Sequence, residues 1–237
     1  MLANTGGNLY AFTFMHELTS QFLVYGFISY VAFLFSTTCH EASHALVAKL
    51  GGDSTAALGG QVSLNPVPHI QREPWGMVVI PILALLFTGG MIGWASAPFD
   101  PLWERRHPRR AALMALAGPA ANYTLMLIAA IGLRVGFAEG WLHTGIEGLS
   151  GFVMVTLSIF FSLNLLLGTF NLLPVPPLDG SSVIMLFMSE STAQRYLDWL
   201  RESAYARLGL LVGLLAMRYL YAPVQDFATD LLLRSHF

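Results

Sequence analysis

His40-Glu41-Ala42-Ser43-His44 puts two imidazoles four residues apart with a carboxylate beside the first. On a helix, positions i and i+4 lie one above the other on the same face, so both rings can reach one metal ion. Glu41 is one residue along, close enough to hold a water bound to that metal. The motif closes a long apolar run, Phe22 to Thr38. Two histidines and a carboxylate are costly beside membrane lipid, which makes a functional site the first reading. The plain alternative is a helix end with polar residues at headgroup level. Cys39 abuts His40, but a helical neighbour points about 100° away, so it is not assigned as a ligand.

Zinc hydrolases commonly combine three protein ligands with water. Asp53, Glu73, Asp100 and Glu104 fall in polar loops and read as solvated. Asp179 follows an apolar helix and is framed by Pro174, Pro176, Pro177 and Gly180. Prolines stop the helix and stiffen such a turn, which suits a carboxylate aimed at a site. An ordinary helix stop with a solvated aspartate remains open at this point.

The elements that must carry these residues are membrane segments. The 237 residues are 55% hydrophobic and 11% charged, against about a quarter charged in soluble domains. That points to an integral membrane protein, and the net charge of −2 gives no reason to expect a nucleic-acid partner. One cysteine excludes an internal disulfide. The pattern predicts apolar segments at 21–50, 76–95, 111–135 and 149–173, and a final one at 208–221 that spans or lies in the interface. Residues 1–20 read as a surface helix. They lack the basic start of a signal peptide, so the first apolar helix is expected to stay. The turn-rich stretch 51–75 contains Gln61-Val62-Ser63-Leu64, whose alternation suggests a short strand. No internal repeat is visible. The expected class is an all-α polytopic membrane protein of four to six segments, with a β-hairpin or re-entrant region after the motif helix. One domain is expected over 1–237, with a core of about 20–185 and a C-terminal helical extension over 186–237.

Three motifs in this order, His40-Glu41-x-x-His44, Gly118-Pro119-x-x-Asn122 and Asn171-Leu-Leu-Pro-Val-Pro-Pro-Leu-Asp179-Gly180, resemble the site-2 protease family of intramembrane zinc metalloproteases. Gly60 to His69 looks like its compact bacterial branch, which lacks a PDZ domain. The following Ile70-Gln71-Arg72-Glu73-Pro74 departs from the Ile-Asp-Pro-x-Gly frequent there. The resemblance implies Zn²⁺ held by His40, His44 and Asp179, and Glu41 as the residue that activates water. Asn171, then Asn122, are the candidate oxyanion donors, each with a helix-bridging hydrogen bond as its alternative role. Gly118 and Pro119 read as allowing close helix packing.

Sharing one metal has a topological consequence. The motif helix and the segment before Asp179 must end on the same side. The stretches 51–75 and 96–110 then also share that side, so 76–95 must re-enter, which Pro81, Gly89 and Gly90 permit when buried in protein. Arg105, Arg106, Arg109 and Arg110 mark that side as cytoplasmic.

The resulting expectation is a bacterial cell-membrane endopeptidase acting on transmembrane segments of membrane proteins. A substrate helix must unwind before attack, and Gln61–Leu64 is a candidate edge for strand addition. His69 reads as a loop histidine or a polar group at the mouth. His16, His107, His143 and His236 carry no motif. Two other classes compete: a non-proteolytic membrane metal binder, which has no need of Glu41, and a channel or transporter, whose polar residues would be spread along several helices.

Overall fold

A computed structural model describes residues 5–145, 147–202 and 208–233, with side chains for 21–145, 147–200 and 208–233. Its first helix, α1 (Thr5–Leu50), continues without a break through residues 5–20, which joins the expected surface helix to the first span. Residues 1–4 and His236 lie outside the described residues.

Short helices follow: α2 (Thr55–Leu58), α3 (Pro66–Arg72), a π-turn over Trp75–Val79, α4 (Ile80–Thr88) and α5 (Pro101–Arg106). Two long helices come next, α6 (Pro108–Ala138) and α7 (Gly148–Asn171). The chain closes with α8 (Asp179–Val183), a 3₁₀ turn, α9 (Glu190–Glu202) and α10 (Gly209–Leu232). The described residues form no strand. Residues 61–64 are bends, and the Gln61 amide donates to the Ser96 carbonyl at 3.1 Å. The alternation there reflects a buried glutamine in a turn, so Gln61–Leu64 presents no strand edge for a substrate to extend. The Asn65-Pro66 pair instead starts α3: Asn65 caps it by accepting from Val67 N, and proline suits the first turn. Buried His69 ties α3 back to the loop, Nε2 lying 3.0 Å from the Ser63 carbonyl.

The core is a bundle of α1, α6 and α7. Small residues make close approach possible: Ala32, Ser36, Ala45 and Ala48 of α1 are buried, as are Ala111, Ala112, Ala115 and Gly118 of α6. In a membrane, where lipid is as apolar as leucine, small residues at the contact gain close packing that larger ones forgo. Large residues such as Phe22, Phe27, Leu127 and Ile131 remain outside, facing lipid. His44 meets Met114 and His40 meets Asn122, so α1 and α6 run antiparallel. Gly132 packs on Leu157, and Gly168 on Tyr123, so α6 and α7 are antiparallel too. The motif end of α1 and the C-terminal end of α7 therefore share one end of the bundle.

Segment 76–95 folds back on itself. The Trp94 N–H donates to the Gly76 carbonyl, and Ser96 donates to Glu73 and accepts from Arg72. A Cβ on Gly76 would strike the Trp94 carbonyl and one on Gly93 the Gly76 carbonyl, which explains glycine at both crossings. The loops at its two ends meet at the end of α1. Trp103 Nε1 and Arg110 both donate to the Gly51 carbonyl, and Asp100 N donates to Asp53.

Three helices are long and apolar enough to cross a membrane: Gln21–Leu50, Pro108–Ala138 and Gly148–Asn171. The pair Pro66–Arg72 and Trp75–Thr88, bent by 111°, is the only further candidate among the described residues. The total is three, or four if the bent pair is one span, against the expected four to six. α10 is not among the spans. Its apolar start runs on to Asp226 and Asp230, which the expected end at 221 left outside.

Candidate metal centre

His40 and His44 lie in the last three turns of α1, both buried, with their Nε2 atoms 2.9 Å apart. Asp179, first residue of α8, brings Oδ2 to 3.2 Å from His40 Nε2 and 3.4 Å from His44 Nε2. Among the described residues these three form the one group of histidine, cysteine and acidic side chains placed to hold a metal. Glu41 is buried beside them, 6% exposed.

The chemistry of this donor set fits a cation. His44 Nδ1 lies 2.7 Å from the Met114 carbonyl, an oxygen that can only accept, so Nδ1 carries a proton. His40 Nδ1 faces the Asn122 side-chain oxygen at 2.6 Å and donates in the same way. In the neutral rings both Nε2 atoms then present lone pairs, to each other and to a carboxylate oxygen that is buried without a hydrogen-bond donor. Three lone pairs converging in a buried place repel unless a positive charge sits among them. Ligand atoms ~2.0–2.1 Å from one tetrahedral zinc lie roughly 3.3 Å apart, close to the spacings here.

The space for such an ion is kept by Gly118. A Cβ there would collide with Nε2 of both histidines. Pro119, inside α6 and fully buried, leaves the backbone one hydrogen bond short at this level.

Asp179 is delivered differently. Residues 172–178 leave α7 as a proline-rich turn, and Gly180 packs so tightly on the Leu172 and Leu173 carbonyls that no side chain fits. Elements beyond the expected core hold this turn. The Tyr196 hydroxyl of α9 donates to the Ser181 carbonyl at 3.0 Å, and Gly209 at the start of α10 lies directly on the Pro176 carbonyl. Gly213, one turn later, packs on Leu178, Phe170 and Val175.

The two asparagines are not placed alike. Asn122 is fully buried; its oxygen serves His40, and its N–H donates to Asn164 at 2.9 Å. With both amide ends occupied it supports a ligand, and an oxyanion role is not what this geometry favours. Asn171 donates to the Leu167 carbonyl of its own helix at 3.0 Å and makes no hydrogen bond to His40, His44 or Asp179. Asn164, Ser36, Met114 and the α9–α10 contacts were not picked out by sequence. A lone asparagine or serine in an apolar helix carries no spacing signal. The register of Ser36 four residues before His40 was the one available hint.

Residues 148–216, from α7 into α10, match Peptidase family M50. Rip2 of Mycobacterium tuberculosis (strain H37Rv) is 31% identical over 204 residues, which cover 84% of this chain and 71% of that protein. The chain belongs to peptidase family M50, the site-2 protease family. Within M50 it is also similar to "Putative zinc metalloprotease YwhC" of Bacillus subtilis, 36% identical over 65% of this chain and 66% of that protein. Rip2 of Mycolicibacterium smegmatis, which bears the same zinc metalloprotease designation, is 31% identical over 67% of this chain. The chain spans 66% of the length of YwhC and 56% of that of the latter Rip2. No solved structure matches it. The M50 match and the converging ligands identify zinc as the cofactor of this membrane protein.

Proposed function

We propose that this protein is an intramembrane zinc endopeptidase that hydrolyses peptide bonds in or near transmembrane segments of membrane-protein substrates. The observation that carries the reading is the convergence of His40, His44 and Asp179 within a bundle of apolar helices, with Glu41 buried alongside. His40, His44 and Asp179 would hold the metal. Bound there, zinc supplies a Lewis acid that activates water and polarises the scissile carbonyl. Glu41 takes the proton of the attacking water and passes it to the leaving amine. Burial of the site among lipid-facing helices suits a substrate that arrives from the bilayer. Such a substrate must unwind first, because every amide of a lipid-embedded helix is paired internally. Asn171, at the end of α7, is kept as the candidate oxyanion donor, and its N–H would have to leave the Leu167 carbonyl to serve.

The ends of α1 and α7, the Gly51–Trp103 contact and the arginine-bearing loop share one face, and the density of Arg105, Arg106, Arg109 and Arg110 supports a cytoplasmic assignment for it. The bacterial cell membrane is the corresponding location.

Purified protein in lipid vesicles with a single-span substrate tests the proposal. Glu41→Gln is expected to keep one zinc per chain and to lose ~10²–10⁴-fold in cleavage rate. Wild type that binds zinc without cleaving any single-span substrate would favour the metal-binder reading. Cleavage that survives the substitution would overturn the role of Glu41.

A further inference from the structure

Asn164 of α7 is fully buried in the bundle and belongs to no motif. Its N–H group donates twice, to the Phe160 carbonyl and to Ser36 Oγ, both at 2.9 Å. A backbone carbonyl can only accept, so this contact fixes which end of the Asn164 amide is nitrogen. The oxygen must then point to Asn122, and it accepts the Asn122 N–H at 2.9 Å. That in turn leaves the Asn122 oxygen toward His40 Nδ1 at 2.6 Å, which must donate. Ser36, one helical turn before His40 on α1, closes the circuit through three helices.

We infer that Asn164, seated by Phe160 and Ser36, is a positioning residue that sets the proton of His40 on Nδ1 and thereby frees Nε2 as a metal ligand. The inference rests on the zinc reading of the site. The two histidines reach the same state by different routes. His44 has its tautomer set directly by the Met114 carbonyl. His40 has it set by a backbone carbonyl two amides away. Partners of metal-bound histidines commonly govern ring orientation and affinity. Here the governing group is one residue further out, and a flip of either amide would leave donor facing donor.

Two measurements on the full chain in detergent micelles test it, and neither reads cleavage. The first is nitrogen NMR of histidine-labelled, zinc-free wild type. A proton on His40 Nδ1 is expected; a proton on Nε2 alone would overturn the inference without any variant having to fold. The second is Zn²⁺ affinity of Asn164→Leu, Asn122→Leu and the double variant. Asn164→Leu, close in volume, is expected to weaken zinc ~10–100-fold and to mix the His40 tautomers. The double variant should bind no more weakly than Asn122→Leu alone, because the residues act in series. Unchanged affinity in Asn164→Leu, or losses that add, would contradict the series. If wild type itself binds no zinc, the zinc reading fails; wild-type binding with an Nε2 proton on His40 sinks this inference alone.

Discussion

The two halves of the metal centre are built on opposite principles. The histidine half is helical: its two ligands share one face of α1 by periodicity alone, α6 supplies the two acceptors that orient them, and α7 holds one of those acceptors in place. The aspartate half is irregular backbone whose position is set by what packs on it: Gly180 against Leu172 and Leu173, Tyr196 on Ser181, Gly209 on Pro176. A helix positions its residues locally, whereas a proline-rich turn needs neighbours from 17 to 30 residues further along to hold one carboxylate in place. Disturbance of the first half should act on the metal directly. Disturbance of the second should act through displacement of Asp179.

The largest effect is expected for Gly118→Val. Its side chain would occupy the space between both Nε2 atoms, so zinc content by metal analysis should fall to background while the helical signal persists. Retention of one zinc per chain would mean that the metal lies elsewhere. Gly180→Ala strikes backbone that cannot yield cheaply. It should cost about 1–3 kcal/mol of stability and loosen zinc, with His40 and His44 still bound. Zinc affinity equal to wild type would show that the turn is softer than its packing suggests.

Tyr196→Phe removes a single hydrogen bond, from α9 to Ser181. A loss of about 1 kcal/mol, read by thermal unfolding with and without zinc, should be larger in the zinc-loaded protein if α9 supports the ligand turn. Equal losses would separate α9 from the site.

The smallest effect on the metal is expected at Asp53, which braces the end of α1. Burial opposes its ionisation, but the Thr55 hydroxyl and the Asp100 and Thr55 N–H groups outweigh burial and hold the carboxyl below its usual range. A depressed folded-state value stabilises the protein above the unfolded value near pH 3.9, and that gain is lost as pH falls through the folded value. Asp53→Asn should therefore cost about 1 kcal/mol at neutral pH, progressively less in acid, and leave zinc affinity unchanged. Pulse proteolysis across pH would read it.

The same contrast explains what the sequence made legible. The histidine pair was readable because helical spacing is fixed by geometry. Asp179 was readable because three prolines and a glycine mark a stiff stop. The folding back of 76–95 followed from requiring both ligand-bearing ends on one side, and Gly76 and Gly93 meet where that demands. The strand expected at 61–64 failed because four alternating residues cannot distinguish a strand from a turn with one buried polar side chain, here Gln61 on Ser96. The dependence of the aspartate turn on α9 and α10 was invisible, because it rests on contacts of Gly209 and Tyr196 that no local pattern announces. Asn164 was hidden for the same reason.

The most direct test of a single shared centre is an anomalous-scattering map of the zinc-loaded protein. One peak is expected, within ~2.0–2.2 Å of His40 Nε2, His44 Nε2 and an Asp179 oxygen together. A peak on the histidines with Asp179 turned away, or zinc bound at other residues, would contradict it.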